Sequence, residues 1–311
     1  MTHPIIDRKF DPATLRRVWI RLPDTDEALI TATGEATGVD FTTAPGRVWE
    51  TDDFTYLPVR VNVRDGDTIR RADVTFALGD HRLITLHPGE PFAPFDKAIA
   101  KMRRNPALAT GAHGVMYALL WALNETAERV IDHASDVLET MSDEIAQATN
   151  GYTDAGREIG VTDMQDTIAR MNEAEEIVSQ CQESQLLLAR AARHLRAEVG
   201  TGDPDLAGLI DILLADIDGV KQHAGFEHDK VRYLQQAIMT SLDVKQNQIV
   251  KIFTIITAVF LPPTLIATFY GMNFTHMPEL SWLHGFEITT ALTLVAALIP
   301  LWYIKRKGWL R

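Results

Sequence analysis

The sequence has little of what several protein classes require. Its 311 residues include a single cysteine, Cys181, so a scaffold stabilised by intrachain disulfides is excluded. It has no glycine-rich phosphate loop, no HExxH motif and no nucleophile elbow, so we expect that the protein is not an enzyme. Its N-terminal stretch MTHPIIDRKFDP also lacks the apolar core of a secretory signal.

Basic residues are scarce as well. The chain has 30 Lys+Arg against 42 Asp+Glu, which gives a formal net charge of −12. A nucleic-acid partner is therefore not expected, since binding to phosphates requires a basic face. An acidic protein can still bind metal cations. The hydrophobic share of 46% is too high for a disordered chain.

Charged residues are missing altogether from two C-terminal stretches. Residues 252–270 form a nineteen-residue run of apolar and threonine side chains, and residues 288–304 form a second charge-free run of seventeen. As a helix, the first run would extend roughly 28 Å, close to the ~30 Å hydrocarbon thickness of a bilayer. Two buried helices of a soluble protein are the alternative. The C-terminal position of both runs favours a membrane hairpin, with spans at 247–271 and 287–304 and a loop at 272–286.

The basic residues that remain predict the orientation of this hairpin. Three follow the second run directly, at 305–307, and Lys245 and Lys251 flank the start of the first. The connection 271–286 contains no lysine or arginine. Because positive residues stay on the cytoplasmic side, we expect both termini, including the basic tail 305–311, inside and the connection outside the inner (plasma) membrane.

Residues 1–105 have the pattern of a small α/β domain. Strands are indicated by the segments RRVWIRL, FTYLPVRVNV and VTFALGDHRLITLH, the last with Gly79-Asp80 as a hairpin turn. Residues 27–37 and 93–104 are predicted to be helices among them. The fold class is therefore α+β, with this domain in the cytosol.

From 106 to 204 the strand signal is replaced by the apolar repeat of long helices. Apolar residues recur at three- and four-residue steps from Val115 to Ala148 and again from Met164 to Val199, which predicts an antiparallel helical hairpin. Cys181 falls on the second apolar seam, so we interpret it as a core residue.

A third helix is predicted to begin at Asp203-Pro204, with the aspartate as cap. Residues 205–246 would form its stalk. If the helix continues to Tyr270, it reaches roughly 100 Å, several times what a bilayer needs. A helix that enters the membrane from a cytosolic stalk can couple events at its two ends, as a gated channel requires.

Polar and small residues follow one face of the first span. Three- and four-residue steps connect Asn247, Thr254, Thr257, Leu261, Thr264, Thr268 and Gly271. Such residues serve helix packing, or they face a water-filled path. Two helices cannot enclose a pore, so a path would require several copies of the chain.

The end of the first span carries the most specific motif. YGMNF at 270–274 is followed by MPEL at 277–280, and KIF at 251–253, FLPPTL at 260–265 and KRKGWL at 305–310 accompany them. With these motifs the sequence resembles the CorA family of divalent-cation channels, and in particular its Mg²⁺-transporting branch. The resemblance implies a funnel-shaped homopentamer in the membrane lipid, with a central pore lined by the first span. It also implies transport of Mg²⁺, with Co²⁺ and Ni²⁺ accepted.

The resemblance also implies roles for single residues along the first span. Gly271, Met272 and Asn273 would form the outer mouth, with the Asn273 amide oxygens as a ring of acceptors. Deeper in the pore, Thr264 and Thr257 would offer hydroxyls, Leu261 and Phe253 would be apolar constrictions, and Asn247 would form a polar ring near the inner end. A neutral ring of oxygens can hold hydrated Mg²⁺ through its waters without trapping the ion.

Acidic residues outside the pore are the remaining candidates. Glu279 in the external loop would attract cations, or it is merely a solvated loop acid. His276 and His284 would favour a softer ion such as Zn²⁺ only if they bind metal, and single exposed histidines usually do not. The family's regulation by cytosolic Mg²⁺ would involve acids between subunits. The candidates are Asp211, Asp216 and Asp218 on the stalk, with Asp52 and Asp53 in the α/β domain.

Two other functions remain open. One is a zinc transporter of the same superfamily, coupled to protons; the MPEL sequence after GMN argues against it. The other is a membrane-anchored sensor or scaffold, which would leave the threonine face and Asn273 without a role.

Overall fold

The structure is a computed structural model that describes residues 10–42, 47–66, 68–89, 91–150, 161–273 and 277–308. Side chains are described throughout these ranges except at 147–150, 161–164 and 279–280. Seven α-helices and five strands are found there: α1 (Pro12–Val18), β1 (Trp19–Pro23), α2 (Glu27–Thr37), β2 (Trp49–Glu50), β3 (Thr55–Asp65), β4 (Thr68–Leu78), β5 (Leu83–His87), α3 (Ala93–Arg104), α4 (Ala112–Asn150), α5 (Val161–Val199), α6 (Pro204–Tyr270) and α7 (Gly285–Arg306). Short 3₁₀ helices cover Pro106–Thr110 and Pro278–Ser281. The chain divides into two compact units after Gln236.

The first helix was not expected from the sequence. RRVWIRL was predicted as one strand, but its first three residues belong to α1, and β1 begins only at Trp19. The cause lies upstream, where the Asp11 carboxylate accepts hydrogen bonds from the backbone N–H groups of Ala13 and Thr14 at 3.0 and 3.2 Å. An aspartate cap followed by proline starts a helix, and here it outweighs the strand propensity of Val18.

The five strands form one sheet in the order β1-β5-β4-β3-β2. β1 pairs with β5 in parallel, and all other neighbours are antiparallel. The predicted turn at Gly79 is confirmed, because its N–H donates to the carbonyl of Arg82 at 2.9 Å between β4 and β5. At the β3–β4 turn Gly66 has φ +61°, a left-handed conformation that glycine adopts at little cost.

The sheet separates two apolar cores. Alternate residues of β3 and β4, such as Val61 and Val74, face the core that they share with α3, α4, α5 and α6. Residues of the opposite face, including Tyr56 and Ile84, form a smaller core with Val39. Strands β1, β3, β4 and β5 therefore each contribute buried residues to both cores, which fixes the pairing register.

The two apolar seams form the predicted helical hairpin. His113 lies 3.3 Å from Glu198, near the start of α4 and the end of α5, and Arg170 pairs with Glu144 at 2.9 Å near the other ends. These pairs show that α4 and α5 run antiparallel. The connection predicted at 150–160 lies outside the described residues except for Asn150.

The third helix begins as predicted and packs on this hairpin. The Asp203 carboxylate accepts from the N–H of Leu206 at 3.0 Å, and α6 runs without a break from Pro204 to Tyr270, 67 residues. Its first part contributes Ile210, Leu213 and Ile217 to the main core. The prediction that a single helix continues past the interior glycines is confirmed.

Cys181 lies in the core of the three helices, as the seam predicted. It is fully buried, and the Nδ2 atom of Asn62 on β3 donates to its Sγ atom at 3.8 Å. Burial raises the pKa of the thiol to about 12. The folded protein therefore has no reactive thiolate near neutral pH.

Two glycines in helices of the first unit differ in the space around them, so alanine substitutions there should have opposite effects on stability. A Cβ atom at Gly114 would approach the Leu108 carbonyl oxygen to 2.5 Å, whereas one at Gly208 meets no atom within 4 Å. We expect Gly114→Ala to destabilise the protein by roughly 1–3 kcal/mol through overpacking. Gly208→Ala should instead stabilise it by about 0.5–1 kcal/mol. Thermal unfolding of the full chain in detergent measures both midpoints, and a lower midpoint for Gly208→Ala would contradict an open face at this position.

Candidate functional site

The C-terminal part of α6 is apolar and uncovered on all sides. The structure describes every residue of this helix, and none in its most apolar stretch is buried. Ile252, Phe253 and Leu265 are exposed by 57%, 65% and 69%, although about 100° or more separates each from the others around the helix. Exposure of this much contiguous apolar surface is unusual for a soluble protein, so another phase or another protein surface must cover it.

The threonine hydroxyls on one face of α6 donate hydrogen bonds to backbone carbonyls of the same helix. Each of four hydroxyls donates to the carbonyl four residues earlier, at 2.7–2.9 Å, from Thr254, Thr257, Thr264 and Thr268. A hydroxyl that donates in this way keeps its oxygen lone pairs free to accept. The polar face is therefore a row of acceptor oxygens, whose natural partners are donors such as water.

Several predicted pore residues share one groove on this face. Phe253, Thr257 and Leu261 line it together with Val250, Thr254, Ala258 and Pro262. Thr264 lies one turn further along the same face. Asn247 is exposed near the other end of this part of the helix. The apolar and hydroxyl positions thus alternate along a single face.

Two consecutive prolines interrupt the backbone hydrogen bonds of this segment. Pro262 and Pro263 lie inside α6, and neither has an N–H to donate. The carbonyls of Ala258 and Val259, four residues earlier, therefore lack their helical donors. In hydrocarbon an unpaired carbonyl costs several kcal/mol, so these oxygens also favour contact with water or with another chain.

The GMN motif begins at Gly271, directly after the last residue of α6. The Gly271 N–H donates to the Ala267 carbonyl at 2.9 Å, and that of Met272 donates to Phe269 at 3.4 Å. A Cβ atom at Gly271 would approach the Ala267 oxygen to 3.1 Å, so a side chain there would crowd the last turn. Asn273 follows and is exposed.

The loop after the motif is described only in part. His276 and the side chain of Glu279 lie outside the described residues. His284 Nδ1 lies 3.9 Å from a carboxylate oxygen of Glu287, and Leu283 is 90% exposed. In the described part of the loop, exposed Leu283 therefore lies next in sequence to the ion pair of His284 with Glu287.

The second apolar helix ends in a cluster of aromatic and basic side chains. The Arg306 guanidinium lies 5.4 Å from the Trp302 ring, and the Lys307 ammonium lies 6.0 Å from the Tyr303 ring. Such pairs suit a membrane–water interface, where the rings lie at headgroup level and the charges reach water.

The structure does not gather the predicted regulatory acids within one chain. Asp211 pairs with Arg196 at 2.8 Å, and Asp218 accepts from Gln222 at 2.8 Å. Asp216, Asp52 and Asp53 are exposed. Across the described ranges, no group of three or more His, Cys, Asp or Glu side chains is placed to hold a metal ion. Any site formed by these acids would need ligands from another copy.

One buried carboxylate was missed in the sequence. Glu227 on α6 is 1% exposed, and its Oε1 atom accepts from the Ser135 hydroxyl of α4 at 2.9 Å. His223 and Lys230 lie 3.6 and 3.8 Å from its oxygens. Its position in the sequence could have indicated its burial. Glu227 lies three residues after buried Ala224 and therefore on the apolar face of α6. It fixes α6 to α4 at a polar contact within the bundle.

Comparison with known proteins identifies the family. Residues 21–306 match the model of the CorA-like Mg²⁺ transporter protein family. The magnesium transport protein CorA of Escherichia coli (strain K12) is 31% identical over 305 residues, which cover 94% of this chain and 92% of the relative. The protein of the same name from Haemophilus ducreyi is 30% identical over 302 residues, with the same coverage.

Solved structures agree with this result at the level of the fold. The CorA magnesium transporter from Methanocaldococcus jannaschii is similar with a TM-score of 0.72 at 18% identity, covering 94% of this chain and 92% of that one. The cytoplasmic domain of ZntB from Vibrio parahaemolyticus is similar with a TM-score of 0.53 at 14% identity, covering 72% and 87%. The chain belongs to the CorA-like Mg²⁺ transporter family, and the predicted fold class with two apolar C-terminal helices is confirmed.

Proposed function

We propose that this protein mediates Mg²⁺ uptake across the bacterial inner membrane as a homopentamer, with five copies of α6 around a central pore. One observation carries the proposal: the uncovered part of α6 has a row of acceptor oxygens on one face and ends in Gly-Met-Asn. Lipid can cover the apolar faces, but it gives hydroxyl oxygens and unpaired carbonyls no donor. Copies of the same helix around a water-filled path satisfy both surfaces.

The outer mouth of the pore would select hydrated Mg²⁺ through the neutral amide oxygens of Asn273. Mg²⁺ gives up its first-shell waters reluctantly, and five neutral Asn273 amides can accept hydrogen bonds from those waters. A ring of carboxylates would hold the ion more tightly and slow its release. Co²⁺ and Ni²⁺ are further substrates of the same mouth.

The gate would lie deeper in the same path. Leu261 presents a large apolar side chain between the hydroxyls of Thr264 and Thr257, and Phe253 presents another on the inner side of Thr254. When such rings approach one another, water leaves the constriction and ions cannot pass. Small changes in the position of α6 would therefore open or close the path.

Internal Mg²⁺ would control this position through the acids of the stalk. Asp211, Asp216 and Asp218 are accessible and lie on the helix that continues into the membrane span. With Asp52 and Asp53, they can bind the ion between neighbouring copies and hold the closed arrangement. Because one helix carries both the acids and the pore residues, loss of the ion at the stalk would be transmitted to the gate.

The first prediction concerns the mouth. Asn273→Ala should lower the initial rate of Mg²⁺ uptake into liposomes about tenfold or more, because the amide ring that orients the hydrated ion is lost. Asn172→Ala, on an exposed position of α5, is the matched control and should leave uptake unchanged. Unchanged uptake by Asn273→Ala would contradict the proposed mouth. Zn²⁺ uptake driven by a pH gradient, in preference to Mg²⁺, would support a zinc transporter.

The second prediction concerns the pore-facing side of α6. Since Cys181 is buried and its thiol has a pKa of about 12, introduced cysteines are the reactive ones. Thr264→Cys should react with a hydrophilic thiosulfonate and lose uptake as it does so. Ile266→Cys, about 200° further around the helix, should react only with an apolar reagent. Equal reactivity of the two positions would exclude a water-filled path on the threonine face.

The third prediction concerns regulation. High Mg²⁺ should slow proteolysis of the stalk relative to chelator, because the bound ion holds neighbouring copies together. Replacement of Asp211, Asp216 and Asp218 by asparagine should abolish this protection. A matched triple replacement of exposed acids on α4, Asp136→Asn, Glu139→Gln and Asp143→Asn, should keep it. Identical digestion of the unmodified protein with Mg²⁺ and with chelator would count against internal sensing.

A further inference from the structure

A pocket in the acidic cytosolic unit is lined by basic residues. It lies between α3 and α4, has a volume of about 410 Å³, and is also closed by Leu209 of α6. Four cationic side chains line it: Lys97, Lys101, Arg104 and Arg129. Their clustering contrasts with the formal charge of residues 1–246 as a whole, which is −15.

The positive side chains converge because two helix faces meet. Lys97, Lys101 and Arg104 are spaced by four and three residues, so they lie on one face of α3. On α4, Tyr117, Trp121, Glu125 and Arg129 recur every fourth residue and form the facing wall. The pocket is therefore built from the regular faces of two long elements, which hold its lining in place.

In the described part of the chain, none of the four cations forms an ion pair, and Glu125 is the one carboxylate among the lining residues. Lys97 donates only to the Thr126 hydroxyl at 3.4 Å, and the Lys101 ammonium lies 3.7 Å above the centre of the Trp121 ring. Arg104 and Arg129 are exposed to solvent at the edge of the pocket.

Burial adds to the electrostatic cost of this arrangement. Burial lowers the pKa of Lys97, and the charge of Arg129 lowers it further, while Glu125 opposes both. Burial also lowers the pKa of Lys101 against the charges of Glu125 and Asp216. Four cations against these two acids leave a positive excess. An anionic ligand would remove the mutual repulsion and restore the hydrogen bonds that burial takes from the lysines.

The size and walls of the pocket indicate the ligand. At about 410 Å³ it falls in the range of small-molecule sites, which are roughly 300–1,000 Å³, and is larger than a single inorganic ion needs. Its walls combine aromatic rings with lysine and arginine donors, the groups that contact bases and phosphates. We propose that this pocket binds a nucleoside polyphosphate, with the phosphates on Lys97, Lys101, Arg104 and Arg129.

The test measures binding to the full chain in detergent by calorimetry, with chelator present so that transported metal plays no part. Adenosine triphosphate should bind, pyrophosphate should bind more weakly, and adenosine should not bind measurably. Arg104→Ala combined with Arg129→Ala should weaken triphosphate binding about tenfold or more, since two charge-assisted contacts are lost. Both arginines are exposed, so the variant should keep the thermal midpoint of the unmodified protein.

A matched pair on α5 provides the control. Arg190→Ala with Arg193→Ala removes the same charge from exposed positions outside the pocket and should leave binding unchanged. No triphosphate binding, or equal loss in both double variants, would overturn the proposal. Equal affinity for pyrophosphate and adenosine triphosphate would contradict the proposal that the pocket recognises the nucleoside. The readout does not involve transport, so this proposal and the proposed function can fail separately.

Discussion

Coverage of the apolar end of α6 is the constraint on which the rest of the molecule depends. Nineteen residues without a charge leave a helix that its own chain does not bury. A bilayer covers such a surface, but the threonine oxygens and the carbonyls before Pro262 and Pro263 require donors that lipid lacks. The proposed assembly of several copies around a wet axis would resolve this conflict, because water in the path supplies the donors. The polar chemistry of one helix face is therefore the main physical argument for that assembly.

The sequence predicted those elements whose causes are local. The seams of α4 and α5, the Asp203 cap and the Gly79 turn depend on spacing within a few residues, and all are present. Helix α1 was missed because a single cap at Asp11 outweighed the strand propensity of the residues after it. The parallel pairing of β1 with β5 joins residues more than sixty positions apart, so no local pattern could indicate it.

The candidate sites can also be divided into those that local sequence patterns indicate and those that depend on contacts between distant segments. The polar face of α6 follows from helical spacing. Phe253, Thr257 and Leu261, which the family resemblance implied as pore residues, share one groove on it in the structure. Glu227 and the basic pocket depend on which helix faces meet. Lys101 and Trp121 lie on different helices, and only the packing of α3 on α4 places the ammonium over the ring. Helical spacing determines which residues share a face of one helix, but not which faces of two helices meet.

The distribution of charge is consistent with the proposed cation path. Residues 247–311 carry a formal charge of +3 and place neutral oxygens along the threonine face and at Asn273. Acids there would bind a divalent ion tightly and delay its release, since two charges in a low-dielectric surrounding attract strongly. The acids are instead concentrated in residues 1–246, where water weakens each contact and many together attract cations over a distance. Within residues 1–246 the basic pocket is the exception, because four cations line it beside the single carboxylate of Glu125. The proposed anionic ligand would offset the repulsion between these cations.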